Sequence, residues 1–238
     1  MKPNQPLETP MSRSPFLSLA AALVLASAPV VAWAGLAVSP VIVDVQPGAP
    51  PRADVEVMND GAETVYVAVE PARIDHPGEA GERRVRDPDP QALGLLATPI
   101  RLVLAPGERK FVRLALLSAA GDADRIFRVT VKPVVGPVNG DATGIKILVG
   151  YDLLVIQRPA RPQAPILATR DAATLTLKNN GNTNAELFQG HACDTARHCA
   201  PLPGHRLYAG TSWSVPLAAG LSADYQVKIA DKLTAQHF

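Results

Sequence analysis

The sequence is poor in the residues that most often carry chemistry or crosslinks. It has two cysteines, and aromatic side chains make up only 5% of its 238 residues. Since 47% of the chain is hydrophobic, its interior has to be packed from Val, Leu, Ile and Ala rather than from rings. The formal net charge is +1. With no excess of either sign, neither nucleic acid nor anionic lipid is expected as a partner. Motifs of catalysis are missing as well. There is no Gly-x-Ser-x-Gly elbow, no HExxH pair and no phosphate-binding glycine loop. His76, His191, His198, His205 and His237 stand beside no activated nucleophile, and the acids are scattered. The chain therefore reads as a non-enzyme with no catalytic residues and no cofactor.

There is one long apolar run. Lys2 and Arg13 precede the stretch from Phe16 to Val31, which is followed by Ala32-Trp33-Ala34. A basic start, a short apolar middle and small residues at the cleavage positions define a secretory signal peptide over residues 1–34, with Gly35 as the first mature residue. Met11 is an alternative start to Met1. No second run approaches the length of a membrane span, so the mature chain is expected to be exported and soluble. Without Lys2, Arg13 and Glu8, its basic and acidic side chains balance.

Cys193 and Cys199 lie close together. In an exported chain such a pair reads first as a disulfide, and closing so short a loop is worth about 2 kcal/mol on the chain-entropy view. His191 and His198 add the other ligand types of a Zn²⁺ or Cu⁺ site. Pairing of the thiols would remove that option, so no metal is expected.

What the chain does have is β texture. Short Val/Ile/Leu runs alternate with turn signals. Leu36 to Val45 (with Ser39-Pro40), Ala53 to Met58, Thr64 to Val69 with an irregular extension to Ile74, Leu93 to Thr98, Ile100 to Leu104, Lys110 to Leu117 and Arg125 to Val135 are predicted strands. Asn59-Asp60-Gly61 is a turn, and residues 75–92 read as a solvated loop, with a phosphate or glycan patch as the other option. The stretch 158–165, Arg-Pro-Ala-Arg-Pro-Gln-Ala-Pro, holds three prolines and forms a stiff connector. Beyond it, Ala173 to Lys178, Ala185 to Gly190, Trp213 to Leu217 and Asp224 to Ile229 make a second, smaller β domain. The expected division is a first domain over 35–157, a hinge over 158–165 and a second domain over 166–238.

Residues 144–156, Gly-Ile-Lys-Ile-Leu-Val-Gly-Tyr-Asp-Leu-Leu-Val-Ile, follow a polar stretch (136–143) that reads as a mobile loop. Ile145, Ile147, Val149 and Tyr151 fall on one face, because strand side chains alternate with period two. Such a face either fills the chain's own core or is lent to another protein. Alternation does not choose between the two.

Several short motifs in order add a resemblance. Ala37-Val-Ser-Pro40, Asn59-Asp60, Ala97-Thr-Pro99, Leu104-Ala-Pro-Gly-Glu108, Val112-Arg-Leu114, Phe127-Arg-Val-Thr-Val-Lys-Pro133 and Arg158-Pro159 together resemble the periplasmic chaperones of chaperone–usher pilus assembly, over nearly all of residues 36–231. The Asn179-Asn-Gly-Asn182 turn and the closely spaced cysteines resemble the branch that serves colonisation-factor-type (alpha) pili. The family's usual disulfide at the very C-terminus is missing here.

The resemblance implies an all-β fold of two immunoglobulin-like β-sandwiches in a boomerang arrangement. It further implies a chaperone that binds pilin subunits by donating a strand, caps them, and delivers them to an outer-membrane usher. On that basis Ile145, Ile147 and Val149, with Tyr151 next along, are the donor side chains, and Asp124, Arg158 and Asp231 hold the interdomain angle as ion pairs. The family's two basic residues for the pilin's C-terminal carboxylate have no counterpart. Val41-Ile-Val-Asp44 carries no base, and the matching donor-strand position is Leu154 or a neighbour. Lys132 is the first substitute, ahead of Arg101, Arg113 and Lys146. A free molecule could also pair its donor strand with a second copy as a homodimer. The rival from another class is a structural or adhesive subunit of a surface fibre. That would call for an alternating apolar extension ahead of the first strand, where only Gly35 precedes Leu36.

Overall fold

The structure, a computed structural model, describes residues 35–134 and 148–238. The signal-peptide assignment and the 136–143 loop lie outside these residues. What is described is almost entirely β-strand, in two sandwiches that belong to one compact unit.

The first sandwich packs a four-stranded sheet on a six-stranded one. The four-stranded sheet runs β1 (Ala37–Ser39), β3 (Arg52–Met58), β8 (Arg109–Leu116), β6 (Leu95–Thr98). The other runs β2 (Ile42–Val45), β10 (Tyr151–Gln157), β9 (Arg125–Val134), β4 (Val65–Asp75), with β7 (Arg101–Leu104) on the far end of β4 and β5 (Arg83–Val85) on its near end. The expected first strand is split. Ala37–Ser39 pairs with β3, and after Pro40, which has no N–H to offer a ladder, the chain crosses to pair with β10 in the other sheet. The charged stretch 75–92 is more ordered than expected. It contains β5 and the one-turn helix α1 (Pro90–Leu93), which has Asp89 as its N-cap and ends at Gly94 with φ of 85°.

Alternation decides what the core contains. Val55 and Val57, Val67 and Val69, Leu102 and Leu104, Val112 and Leu114, Val129 and Val131, and Leu153 and Val155 all point between the sheets. Their polar neighbours at odd spacing point out. On the outer face of β3 and β8, Arg113 clamps Asp54 with two bonds of 2.8 Å.

The second sandwich pairs β11 (Ile166–Arg170), β12 (Thr174–Asn179) and β16 (Ser212–Pro216) against β13 (Ala185–Cys193), β14 (Cys199–Leu202), β15 (His205–Leu207), β17 (Ser222–Ile229) and β18 (Lys232–His237). Its core is Leu175, Leu177, Leu187, Leu207, Val215, Tyr225 and Val227. Cys193 and Cys199 are disulfide-bonded across β13 and β14, so the two thiols are not available to a metal. Among the described residues no group of three or more His, Cys, Asp or Glu is placed to hold one. None of the described helices is long and apolar enough to cross a membrane.

Both sandwiches use the same buried turn. The amide of Asn59 donates to the carbonyls of Glu63 (2.7 Å) and Leu104 (3.0 Å), while its oxygen accepts from Gly61 N at 3.0 Å. Asn179 does the same with Thr183 (2.8 Å), Leu207 (3.0 Å) and Gly181 N (2.9 Å). Each asparagine is fully buried and satisfies backbone groups that would otherwise be orphaned.

Candidate functional site

Strand β10 is the element in question, and its two halves have different surroundings. From Leu153 to Gln157 it is buried on both faces. Leu153 and Val155 enter the core of the first sandwich, while Leu154 and Ile156 join Ile74 and Ile126 on the opposite face, covered by Tyr208 of the second sandwich. Neighbours also differ along its length. β9 pairs with all of it, from Tyr151↔Val131 to Gln157↔Arg125. β2 pairs with it in parallel only from Leu154↔Ile42 to Gln157↔Val45. Among the described residues, the edge of β10 from Tyr151 to Leu153 therefore has no strand on the β2 side.

Towards its start the strand runs off the sandwich. Leu148 is 39% exposed and Val149 51% exposed, where an aliphatic side chain gains nothing from the domain's own core. Val149 shares its face with Tyr151, Leu153 and Val155, by period two. Ile145 and Ile147, on that same face by sequence, lie outside the described residues. Tyr151 stays with its own sandwich: it packs against the first core, and its hydroxyl donates to the Leu36 carbonyl at 3.0 Å.

Next to this edge β2 leaves Val41 and Ile42 50% and 44% exposed. Leu154, the donor-strand position matched by the resemblance, is the cross-strand partner of Ile42 in the Val41–Asp44 stretch, so two apolar side chains are brought together there. Lys132 is far from them. It lies near the outer end of β9, paired in register with Ala68, and its amine makes an ion pair with Glu70 at 2.8 Å. Arg101 is in register with that same Ala68, and Arg113 is bound to Asp54 on the other sheet. Lys146 lies outside the described residues. The bases nearest to Leu154 are ones that sequence reasoning passed over. Arg128 is its cross-strand partner, and Arg128 and Arg84 both reach Asp152, at 3.9 and 2.6 Å. Thr130 donates to the same carboxylate at 3.0 Å.

The joint between the sandwiches centres on Arg158, whose side chain is 2% exposed. It donates to both oxygens of Asp44, at 2.8 and 2.7 Å, and to Thr183 Oγ1 (2.7 Å) and the Asn184 carbonyl (3.1 Å). Asp124 lies 3.7 Å from the guanidinium and accepts from Thr183 Oγ1, Asn184 N and Asn184 Nδ2, each at 2.6 Å. Every polar atom of this buried pair thus has a partner, the condition under which burying charge is tolerated. The expected third member is corrected here. Asp231 is exposed in the β17–β18 turn and has no ion pair among the described residues, and Asp44 takes the second acidic place because β2 runs in parallel beside the end of β10. Asp44 is 114 residues from Arg158 in sequence, and only the strand register brings the two together.

The class that the fold defines is a pair of β-sandwiches in one chain, the architecture of solved fimbrial chaperones. Among solved structures, the chain is similar to the class 5 fimbriae chaperone CfaA, with a TM-score of 0.64 and 19% identity, over 85% of this chain and 98% of that one. It is similar to a chain of the chaperone–tip adhesin complex of CFA/I fimbriae biogenesis, with a TM-score of 0.62, 20% identity and coverage of 85% and 97%. A third similar structure is the CsuC–CsuE chaperone–tip adhesion subunit complex of Acinetobacter baumannii, with a TM-score of 0.60, 12% identity and coverage of 85% and 97%. At these identities the likeness is one of fold. No protein-family model and no curated protein matches the sequence.

Proposed function

We propose that the chain is a periplasmic chaperone of the chaperone–usher family that binds pilin subunits by lending them the segment ahead of β10. The observation that carries this is the fate of one strand face. Leu153, Val155 and the ring of Tyr151 fill the chain's own core, whereas Val149, next on the same face, is half exposed beyond the end of the sandwich. Ile147 and Ile145 continue that face. A pilin lacking a strand exposes a groove of apolar pockets and unpaired backbone groups. A donated strand satisfies both needs, through ladder bonds and through about 1.5–3 kcal/mol for each aliphatic side chain buried. Addition of a strand to a sheet edge is a recognised mode of peptide capture, for which chaperone–pilin complexes are a standing example. The open edge of β10 from Tyr151 to Leu153 gives the incoming subunit a place to continue its ladder.

The chain's organisation supports the same reading. The leader over 1–34 directs export, 35–157 is the donating domain, 158–165 is the hinge and 166–238 the second domain. The Arg158–Asp44–Asp124 network holds the two sandwiches in one orientation, so the subunit meets a preformed surface. Handover to an outer-membrane usher follows from the family. In the free chaperone the exposed apolar edge can engage a second copy. No chemical step and no cofactor enters.

The test is Ile147→Asp. A carboxylate in an apolar groove is left unpaired and desolvated. Capture of the pilin encoded in the same gene cluster should then be lost in co-purification, while circular dichroism and the melting temperature of the chaperone stay as in the wild type. Normal capture by the folded variant would remove Ile147 from the donor face.

A further inference from the structure

Lending a strand requires that its register be fixed, because a slip by one residue turns every side chain to the wrong face. β10 has little to fix it at the point where the lent segment leaves. β2 reaches only to Leu154, so among the described residues β9 alone pairs with the strand from Tyr151 to Leu153.

Two contacts stand at that point, one on each face. On the inner face, the Tyr151 hydroxyl donates to the carbonyl of Leu36, 115 residues away in sequence. Leu36 is a core residue that leads into β1, and β1 pairs with β3 in the opposite sheet. The bond therefore ties the two sheets together across the end of the sandwich. On the outer face stands Gly150. A Cβ at this position would lie 2.9 Å from the Cβ of Lys132 and 3.3 Å from both its Cα and the Val131 carbonyl oxygen. Only glycine lets the strand lie this close to β9. The Lys132 stem it rests on is held in turn by the ion pair with Glu70.

We infer that Tyr151 and Gly150 form a root clamp for the donated segment. Tyr151 is a positioning residue: it sets where the chain's own core ends and in which register and direction the preceding residues leave. This rests on the donor-strand function proposed above. Under it, Lys132 acts by shaping the strand's exit and not by receiving a carboxylate.

Tyr151→Phe separates the clamp from simple filling of the sandwich end, because the ring stays and only the tie to Leu36 goes. Measured at a temperature where the variant is fully folded, its affinity for the pilin encoded in the same gene cluster should fall about fivefold, the equivalent of one ordinary hydrogen bond. Amide exchange from Leu148 to Leu153 in the free protein should quicken, with exchange elsewhere unchanged. Gly150→Ala, which adds its methyl group on the outer face against Lys132, should weaken binding in the same way. Ile147→Asp is measured alongside. If Ile147→Asp loses the pilin while Tyr151→Phe and Gly150→Ala bind as the wild type does, the clamp is overturned and strand donation stands. If Ile147→Asp also binds normally, strand donation itself has failed and the clamp falls with it.

Discussion

The two sandwiches solve the same packing problem with opposite surfaces. Of the eleven large apolar side chains exposed among the described residues, nine lie in the first sandwich and two, Leu167 and Leu233, in the second. The second is closed by its disulfide and by an aromatic chain in which His205 stacks on Trp213 at 4.6 Å, with Tyr225 and Phe238 following edge to face. Burial pushes the Tyr225 hydroxyl up to about 12, and it donates to the Pro203 carbonyl. The first sandwich has no crosslink and few rings, yet its Val/Leu interior is just as fully buried. Its exposed apolar groups are not failures of packing. Val41 and Ile42 lie at the start of β2, Val41 just ahead of it, and Leu148 and Val149 at the root of β10, while Val103, Tyr66 and Val134 form a cross-strand row over β7, β4 and β9. Seven of the nine are thus gathered at one edge and one sheet end, Ile100 and Phe111 being the other two, and such grouping marks a candidate contact surface. The difference teaches that, among the described residues, exposed apolar surface is concentrated on the first sandwich and nearly absent from the second.

The strongest way to break this contrast is to uncouple its halves. Arg158→Ala leaves Asp44 and Asp124 without their cation and should cost about 3–5 kcal/mol. The single unfolding transition should split in calorimetry as the sandwiches lose their joint. Unchanged single-step melting would show that the joint lies elsewhere.

A sharper comparison lies within one strand face. Leu153→Ala opens a cavity in the first core and should lower stability by about 2–5 kcal/mol in chemical denaturation. Val149→Ala, four residues earlier, should leave stability within about 0.5 kcal/mol and weaken pilin binding instead. Equal losses of stability would mean that Val149 belongs to the core after all.

Replacing Cys193 and Cys199 together by alanine should cost about 2 kcal/mol. The loss should be confined to the second sandwich, with pilin capture kept. Loss of capture would give the second sandwich a direct part in binding.

The smallest effect concerns acid. The hydrogen bond from Arg113 holds the Asp54 carboxyl below the usual carboxylate range. Its contribution is therefore complete above the unfolded value of about 3.9 and fades as the pH falls through the lower folded value. Asp54→Asn should flatten that acid-side slope of the melting temperature slightly and leave neutral pH untouched. Because the pair is exposed, a large change would be unexpected.

Much of this was legible in the residues. Period-two alternation placed Val55 and Val57 of β3 inward, because a strand with one buried face has to repeat every second residue, and the runs of β8 and β9 were legible as strands. Asn59-Asp-Gly and Asn179-Asn-Gly announced their turns through the same side-chain chemistry. Less legible were the pieces set by tertiary partners. β5 carries Arg83 and Arg84 and reads as loop, yet it is held in the sheet by Ile74↔Arg84 pairing and by Arg84 on Asp152. β18 is an edge strand with mostly polar side chains, and no periodic apolar signal marks it. In the candidate site, Arg158 and Asp124 were readable as joint residues. Asp44 was not, since its role comes from a parallel pairing over more than a hundred residues. Tyr151 shares a face with Val149, and only the end of the core separates their roles.

The most direct measurement is a photo-crosslinking residue placed in turn at Val149 and at Leu153, in chaperone produced with its pilin. Donation of the strand predicts a crosslink to pilin from position 149 and only internal crosslinks from position 153. Internal crosslinks from both positions, with pilin still bound, would contradict it.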